Sequence, residues 1–130
     1  MTLDRIRAQV MFQTNNDVDD LPDFQPHLND YINEGYDLLV EGYRNQHVQS
    51  GSAEFPPLEN PGDEPKLPEY AHRAIADYAT YMVYRNGNAV KQNRGNVFYS
   101  MFMGVLAQLK YERGRQMDGK PRQFVNIYTT

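Results

Sequence analysis

The chain has 130 residues, a net charge of −4 and 40% hydrophobic residues, which suits one domain with a modest core. It contains no cysteine, so disulfides, thiolate metal sites and cysteine nucleophiles are excluded. No apolar run approaches the ~18–20 residues that span a bilayer, and the opening residues lack the basic-then-apolar layout of a secretory signal. We therefore expect a cytoplasmic protein with no membrane partner.

Charge is distributed unevenly between the two halves of the chain. Residues 1–69 contain 14 acidic and 4 basic residues, whereas residues 70–130 contain 3 acidic and 9 basic residues. The first half therefore has a balance of −10 and the second half a balance of +6. A molecule of this polarity can associate head to tail, because opposite ends of neighbouring copies attract. The alternative is that both charged surfaces are simply solvated.

Two amphipathic helices are predicted in the first third of the chain. Thr2 is a suitable N-cap, and the apolar residues after it fall at helical spacing, which predicts a helix over residues 3–14. Pro26 suits a first helical position and begins a second predicted helix over residues 26–44. Apolar and tyrosine residues recur there every three or four positions, which is typical of a helix with one buried face.

The connection between these helices, NNDVDDLPDFQP, is acidic. Its alternating Asn15, Asp17 and Asp19 resemble the start of a calcium-binding loop. An EF-hand needs glycine at the sixth position and a bidentate glutamate at the twelfth, where this chain has Asp20 and Pro26. We therefore interpret the segment as a solvated acidic turn.

Residues 45–67 are predicted to form a long loop between helices two and three. They contain four prolines, two glycines and no periodicity. A structureless connection of more than about 20 residues is unusual inside a compact domain and is often functional. Phe55 and Leu58 flank a proline pair and favour a loop that docks on something, while a disordered linker is the alternative.

Helices three and four are predicted over residues 68–86 and 89–113. The break between them offers Gly87 for a left-handed conformation and Asn88 as the next N-cap. So short a break makes the two helices a closely packed hairpin. The sequence thus predicts an all-α bundle of about four helices. Its expected core contains Ile32, Leu39, Ile75, Tyr78, Phe98, Phe102, Val105 and Leu109.

The carboxylates of the second helix are candidate acid–base groups. Asp30, Glu34, Asp37 and Glu41 recur every three or four residues, so they form a stripe along one side instead of converging in a cleft. The sequence contains neither a nucleophile elbow nor a phosphate-binding glycine loop. These patterns favour a function that is not enzymatic.

The three histidines do not predict a metal site. His27, His47 and His72 are scattered over a helix start, the long loop and the third helix, without the spacing of metal ligands. We expect His72 on a helix surface or at an interface, and we expect no metal or other cofactor.

The last residues, 115–130, are predicted to form a flexible, extended tail. The stretch QFVNIYTT has the composition of a β-strand, but the helical body offers no second strand to satisfy its backbone groups. We predict that the tail orders on assembly by adding an edge strand to another protein, whereas a frayed terminus is the alternative. The strand contacts would come from Phe124, Val125, Ile127 and Tyr128, with Lys120 and Arg122 steering the tail to an acidic surface.

Three stretches carry a family resemblance. They are MTLDRIRAQV as a short opening helix, LNDYINEGYDLLV after an acidic loop, and LPEYAHRAIADYATYMVYRNGNAVKQN after the long loop. The run GNAVKQNRGNVFYSMFMGVL then leads into the last long helix. Together they resemble the head–tail connector proteins of tailed bacteriophages, also called adaptor or head-completion proteins. The resemblance covers most of residues 1–110, and residues 111–130 match less well.

The resemblance implies a helical connector domain over residues 1–114, followed by the tail. Such subunits form a homo-oligomeric ring, typically of about twelve copies, under the portal vertex of the capsid. The ring belongs to the virion neck and is assembled in the host cytoplasm. It extends the channel for genomic DNA without reading its sequence, and it offers a platform to a tail or stopper protein. A cellular helical interaction or regulatory module with a basic tail is the alternative function.

The resemblance also gives roles to particular residues. Tyr70, Tyr81 and Tyr84 suit subunit interfaces, because tyrosine combines an apolar body with a polar tip. The acidic stripe of the second helix is a candidate lining of the DNA channel, because like charge lets the polyanion slide. The tail is a candidate anchor on the portal protein.

Overall fold

The computed structural model describes residues 1–45 and 55–117, and it confirms an all-helical fold there, with four α-helices and no β-strand. In these ranges no helix combines the length and the apolar character needed to cross a bilayer. Two 3-10 turns connect the first two helices, at Val18–Asp20 and Gln25–His27. The α-helices are α1 (Leu3–Thr14), α2 (Leu28–Asn45), α3 (Glu69–Arg85) and α4 (Ala89–Met117).

Local capping explains where α1 and α4 begin. The Thr2 hydroxyl accepts a hydrogen bond from the Arg5 amide at 3.2 Å, and Asn88 Oδ1 accepts one from the Lys91 amide at 3.0 Å. Both predicted N-caps are therefore confirmed. Pro26 lies in a 3-10 turn instead of the first turn of α2, which begins two residues later.

The turn between α3 and α4 differs from the prediction in its backbone. Gly87 does not adopt a left-handed conformation; its amide donates to the Tyr84 carbonyl at 3.0 Å and continues the helical turn. Glycine fits here for a steric reason, since an added Cβ would lie 2.7 Å from the Lys91 Cβ. The tight hairpin itself is present, and it brings α3 and α4 into their most extensive contact.

The core is built around α3, which packs against each of the other three helices. Six of the eight predicted core residues are buried, and Phe98 and Val105 are partly buried against the same cluster. Phe102 is 1% exposed, and its ring lies 4.9 Å from that of Tyr78 between centroids. Gly95 lets α4 approach α3 closely, because a Cβ there would lie 2.7 Å from the Tyr84 Cβ.

The described part of the long loop docks on the chain's own helices. The Asn33 side chain bonds both backbone groups of Leu58, accepting from its N–H at 2.7 Å and donating to its carbonyl at 3.0 Å. The Leu3 amide donates to the Asp63 carbonyl at 2.7 Å, and Leu58 is buried. The surface on which this segment docks is therefore formed by α1 and α2. Residues 46–54 lie outside the described residues.

The last helix is longer than predicted. It continues to Met117, past the expected end at residue 113 and past the expected boundary at 114 between domain and tail. The predicted strand and its six contact residues, Lys120, Arg122, Phe124, Val125, Ile127 and Tyr128, lie outside the described residues.

Candidate assembly surface

Over residues 95–109, one side of α4 is exposed and carries no charge. The 15 residues from 95 to 109 contain no acidic or basic side chain. Several are large and apolar, with Val97 60% exposed, Met101 43% and Met103 42%. Interface cores are depleted in charge and enriched in methionine and tyrosine. The exposed positions, which we call the α4 face, are Asn96, Val97, Tyr99, Ser100, Met101, Met103, Gly104, Ala107 and Gln108.

Gly104 lies in the middle of the α4 face, and packing among the described residues does not require a glycine there. An added Cβ would meet nothing within 4 Å, in contrast to the glycines at 35, 42 and 95, where a Cβ would crowd a neighbouring helix. Glycine inside a helix costs roughly 0.5–1 kcal/mol relative to alanine. Ser100 and Ala107 lie on the same side of the helix, so small side chains would let another chain approach the helix backbone closely.

A polar pocket adjoins the α4 face at the hairpin. The Gln92 amide donates to the backbone carbonyls of Arg85 and Gly87, at 3.3 and 3.0 Å, and so ties the two helices together. The Arg85 guanidinium lies 5.7 Å above the Tyr81 ring. Arg85 forms no ion pair with any acidic residue in the described ranges. The cavity has a volume of about 320 Å³ and is lined by Tyr81, Arg85, Gln92, Asn93 and Asn96.

The three tyrosines predicted for subunit interfaces have different surroundings. Tyr81 is half-buried, and its ring lies 4.5 Å from that of Tyr99, so it borders both the pocket and the α4 face. Tyr70 is half-buried on the first turn of α3. Tyr84 is only 3% exposed, and its hydroxyl donates to Asp17 at 2.6 Å. The interface role predicted for Tyr84 is therefore corrected, because its side chain belongs to the interior of the subunit.

The acidic stripe of α2 lies at the surface. Asp30, Glu34, Asp37 and Glu41 are all exposed. Glu34 also accepts a hydrogen bond from the Tyr78 hydroxyl of α3. Burial, followed by this contact with a carboxylate, raises the pKa of Tyr78 above its ordinary value. Glu34 thus has a packing role that the regular spacing of the stripe does not reveal, and the channel-lining role stays a prediction.

Asp17 is the charged residue that sequence reasoning placed wrongly. It is 6% exposed, not solvated, and it accepts from the Lys91 ammonium at 2.5 Å, from the Arg94 guanidinium and from the Tyr84 hydroxyl. The bond from Lys91, then that from Tyr84, holds the pKa of Asp17 well below its usual range. Burial, followed by the bond to Asp17, raises the pKa of Tyr84 to about 12. This Asp17 cluster fastens the acidic connection to the hairpin.

A second polar cluster surrounds the amino group of Met1. Its nitrogen lies 3.0 Å from Glu69 Oε2, 3.7 Å from Glu64 Oε1 and 2.7 Å from His72 Nδ1. His72 is 3% exposed, and its Nε2 lies 2.9 Å from the Leu67 carbonyl, so the predicted surface position is wrong. The bond from the ammonium, then the charge of His72, lowers the pKa of Glu69. The three side chains have the donor atoms of a metal site, but the ammonium already accounts for their convergence.

Comparisons of this chain with protein-family models, curated proteins and solved structures find no match. The site must therefore be interpreted from its own chemistry. Its main features are a charge-free helical face, an arginine pocket at the edge of that face, and an acidic connection fastened to the same hairpin. The charge-free stretch and Gly104 can be recognised in the sequence. The pocket cannot, because its residues meet only through the packing of α3 on α4.

Proposed function

We propose that this chain is a structural subunit that assembles with copies of itself into a ring, as a head–tail connector of a tailed bacteriophage. The ring would sit on the portal vertex, extend the DNA channel and carry the next neck or tail protein. The observation that carries the proposal is the α4 face, an exposed helical surface without charge over 15 residues.

The chemistry of the α4 face supports another copy of the chain as its occupant. An uncharged surface pairs best with another uncharged surface, because burying a charge without a partner is costly. Among the described helices, the exposed sides of α1 and α2 carry charged residues, such as Asp4 and Arg5 on α1 and the acidic stripe on α2. Among the described surfaces, the α4 face is thus the one best suited to be covered by an uncharged surface of a neighbouring copy. The opposite charge balances of the two halves of the sequence favour the side-by-side order that a ring requires.

The experiment is electron microscopy of the purified protein, alone and mixed with portal-bearing capsids. We expect rings that stack coaxially on the portal. Gly104→Lys places a charge at the centre of the α4 face, where the subunit has room for it, so the variant should keep its helical content and fail to form rings. Ala8→Lys, which adds the same charge on the exposed side of α1, is the matched control and should assemble normally.

Two results would count against the proposal. Protein that stays monomeric at high concentration and never binds a portal would overturn the connector function. Rings of Gly104→Lys as abundant as those of the unmodified protein would show that the α4 face lies away from the subunit contact.

The portal-binding role of the tail is a separate part of the proposal. Deletion of residues 121–130 should leave helicity and ring formation unchanged and abolish attachment to portal-bearing capsids. Attachment by the shortened protein at the level of the full chain would refute the anchor.

The channel-lining role of the α2 stripe is tested by charge. Reversal of Asp30 and Glu41 to lysine should make the rings retain DNA at low salt and release it as salt rises. Variant rings that do not bind DNA at low salt would exclude this stripe as the channel lining.

A further inference from the structure

We infer that the Arg85 pocket of one subunit receives the acidic connection of the next subunit, through Asp19 and Asp23. This inference rests on the proposed ring and specifies which surfaces of two neighbours meet. It describes a heterologous contact, in which each copy offers a pocket on one side and a carboxylate segment on the other. Contacts of this kind generate rings when the rotation between copies closes.

The pocket has the chemistry of a carboxylate receptor. Arg85 presents a planar guanidinium, which binds carboxylates through two parallel N–H···O bonds. The Asn93 and Asn96 amides that also line the pocket supply further donors, and the Tyr81 ring lies 5.7 Å from the guanidinium. No carboxylate of the described residues forms an ion pair with Arg85, and Glu34 of α2 accepts its hydrogen bond from Tyr78. With no partner among the described residues of its own subunit, the guanidinium can bind a carboxylate of a neighbouring copy.

The acidic connection has carboxylates to offer. Asp17 is used inside the subunit, and Asp20 lies 3.6 Å from the Lys91 ammonium. Asp19 and Asp23 are exposed and form no ion pair with a residue in the described ranges. The Asp17 cluster anchors the residue before them to α4, and Asp19 lies in the 3-10 turn that directly follows. A preorganised acidic turn loses less conformational freedom on binding than a mobile one.

The Asp17 cluster and the pocket lie on different sides of α4. Arg94, which binds Asp17, and Asn96, which lines the pocket, are separated by about 160° around α4, as 3.6 residues per turn require. Both features are at the N-terminal end of α4, so they are at similar heights along it. Asn96 also belongs to the α4 face, so the pocket adjoins this face. A subunit therefore presents an acidic turn to one neighbour and an arginine pocket to the other, which is the arrangement that a ring of identical copies needs.

The test uses charge reversal and mixing. Arg85→Glu and the double variant Asp19→Lys/Asp23→Lys change exposed side chains and should keep the fold. Each variant alone should raise the concentration of half-assembly by about tenfold or more, as measured by sedimentation and native mass spectrometry. Arg5→Glu makes the same change at an exposed position of α1 that does not line the pocket, and it should assemble normally.

Mixing the two variants supplies the decisive result. In an equimolar mixture the two variants can alternate around a ring. Every contact then pairs opposite charges, either Arg85 with Asp19 and Asp23 or the reversed residues with each other. We expect rings to return, with both variants present in equal numbers. Loss of assembly by each variant without recovery in the mixture would overturn the inference, as would unchanged assembly of either variant alone. If a single variant assembles normally, rings still form, so the result would refute this contact and leave the proposed function intact.

Discussion

The Asp17 cluster offers the most direct test of how this fold is held together. The perturbation is Asp17→Asn, which keeps the size of the side chain and removes its charge. In the native protein the Lys91 ammonium lies 2.5 Å from Asp17, with its side chain only 10% exposed. The substitution therefore leaves a buried cation without its partner.

The expected cost follows from what each basic group can do once Asp17 has no charge. Arg94 is 52% exposed and can turn into water, so its loss of a partner costs little. Lys91 cannot turn into water, because its side chain is only 10% exposed. Its remaining acidic neighbour, Asp20, is 3.6 Å away and 72% exposed. Removing one partner of a buried pair costs about 3–5 kcal/mol, and the retained carboxamide oxygen places Asp17→Asn near the lower end, at about 3 kcal/mol.

The assay is urea denaturation followed by circular dichroism, with the free energy of unfolding compared at pH 7. Asp19→Asn is the matched control, because Asp19 is exposed two residues away, and its effect should stay within about 0.5 kcal/mol. Adding Lys91→Met to Asp17→Asn should recover part of the lost free energy of unfolding, because it removes the unpaired buried ammonium. A cost for Asp17→Asn below about 1 kcal/mol, or no recovery in the double variant, would refute the reasoning.

The same cluster predicts a pH dependence with a definite sign. Its surroundings lower the pKa of Asp17 in the folded protein below the ordinary value of 3.8. Its contribution to stability is therefore present above that ordinary value and lost as the pH falls below it, toward the folded-state pKa. The stability difference between the unmodified protein and Asp17→Asn should be constant at neutral pH and should shrink under acid conditions. A difference that grows as the pH falls would contradict this assignment.

Two further predictions concern packing and are measured by the same denaturation assay. Phe102→Ala should lower the free energy of unfolding by about 3–5 kcal/mol, because the ring is buried. Val97→Ala on the exposed α4 face should lower it little. Equal effects would mean that the buried and exposed sides of α4 are wrongly assigned. Gly95→Ala should destabilise by about 1–3 kcal/mol through its clash with Tyr84, whereas Gly104→Ala should stabilise the free subunit by up to about 1 kcal/mol. A destabilising Gly104→Ala would show that this glycine is needed within the subunit.

The sequence alone determined the helices and most of the core. Helix starts follow from local chemistry, as at Thr2 and Asn88, where a side chain caps the amide three residues away. The core stripe follows from helical periodicity, because residues three and four apart share a face whatever packs against it. These signals need no knowledge of the neighbouring elements, which is why the all-α bundle could be predicted.

The tertiary structure decided which polar groups are buried and which surfaces remain open. Asp17 and Asp19 lie in the same acidic connection, but only Asp17 meets Lys91 where the connection crosses the hairpin. Tyr81 and Tyr84 lie within one turn of α3, yet the first borders the pocket and the second points toward Asp17. The burial of a polar side chain depends on the element that packs over it. Spacing along one helix carries no information about that element, so only the folded chain separates a buried ion pair from a solvated turn.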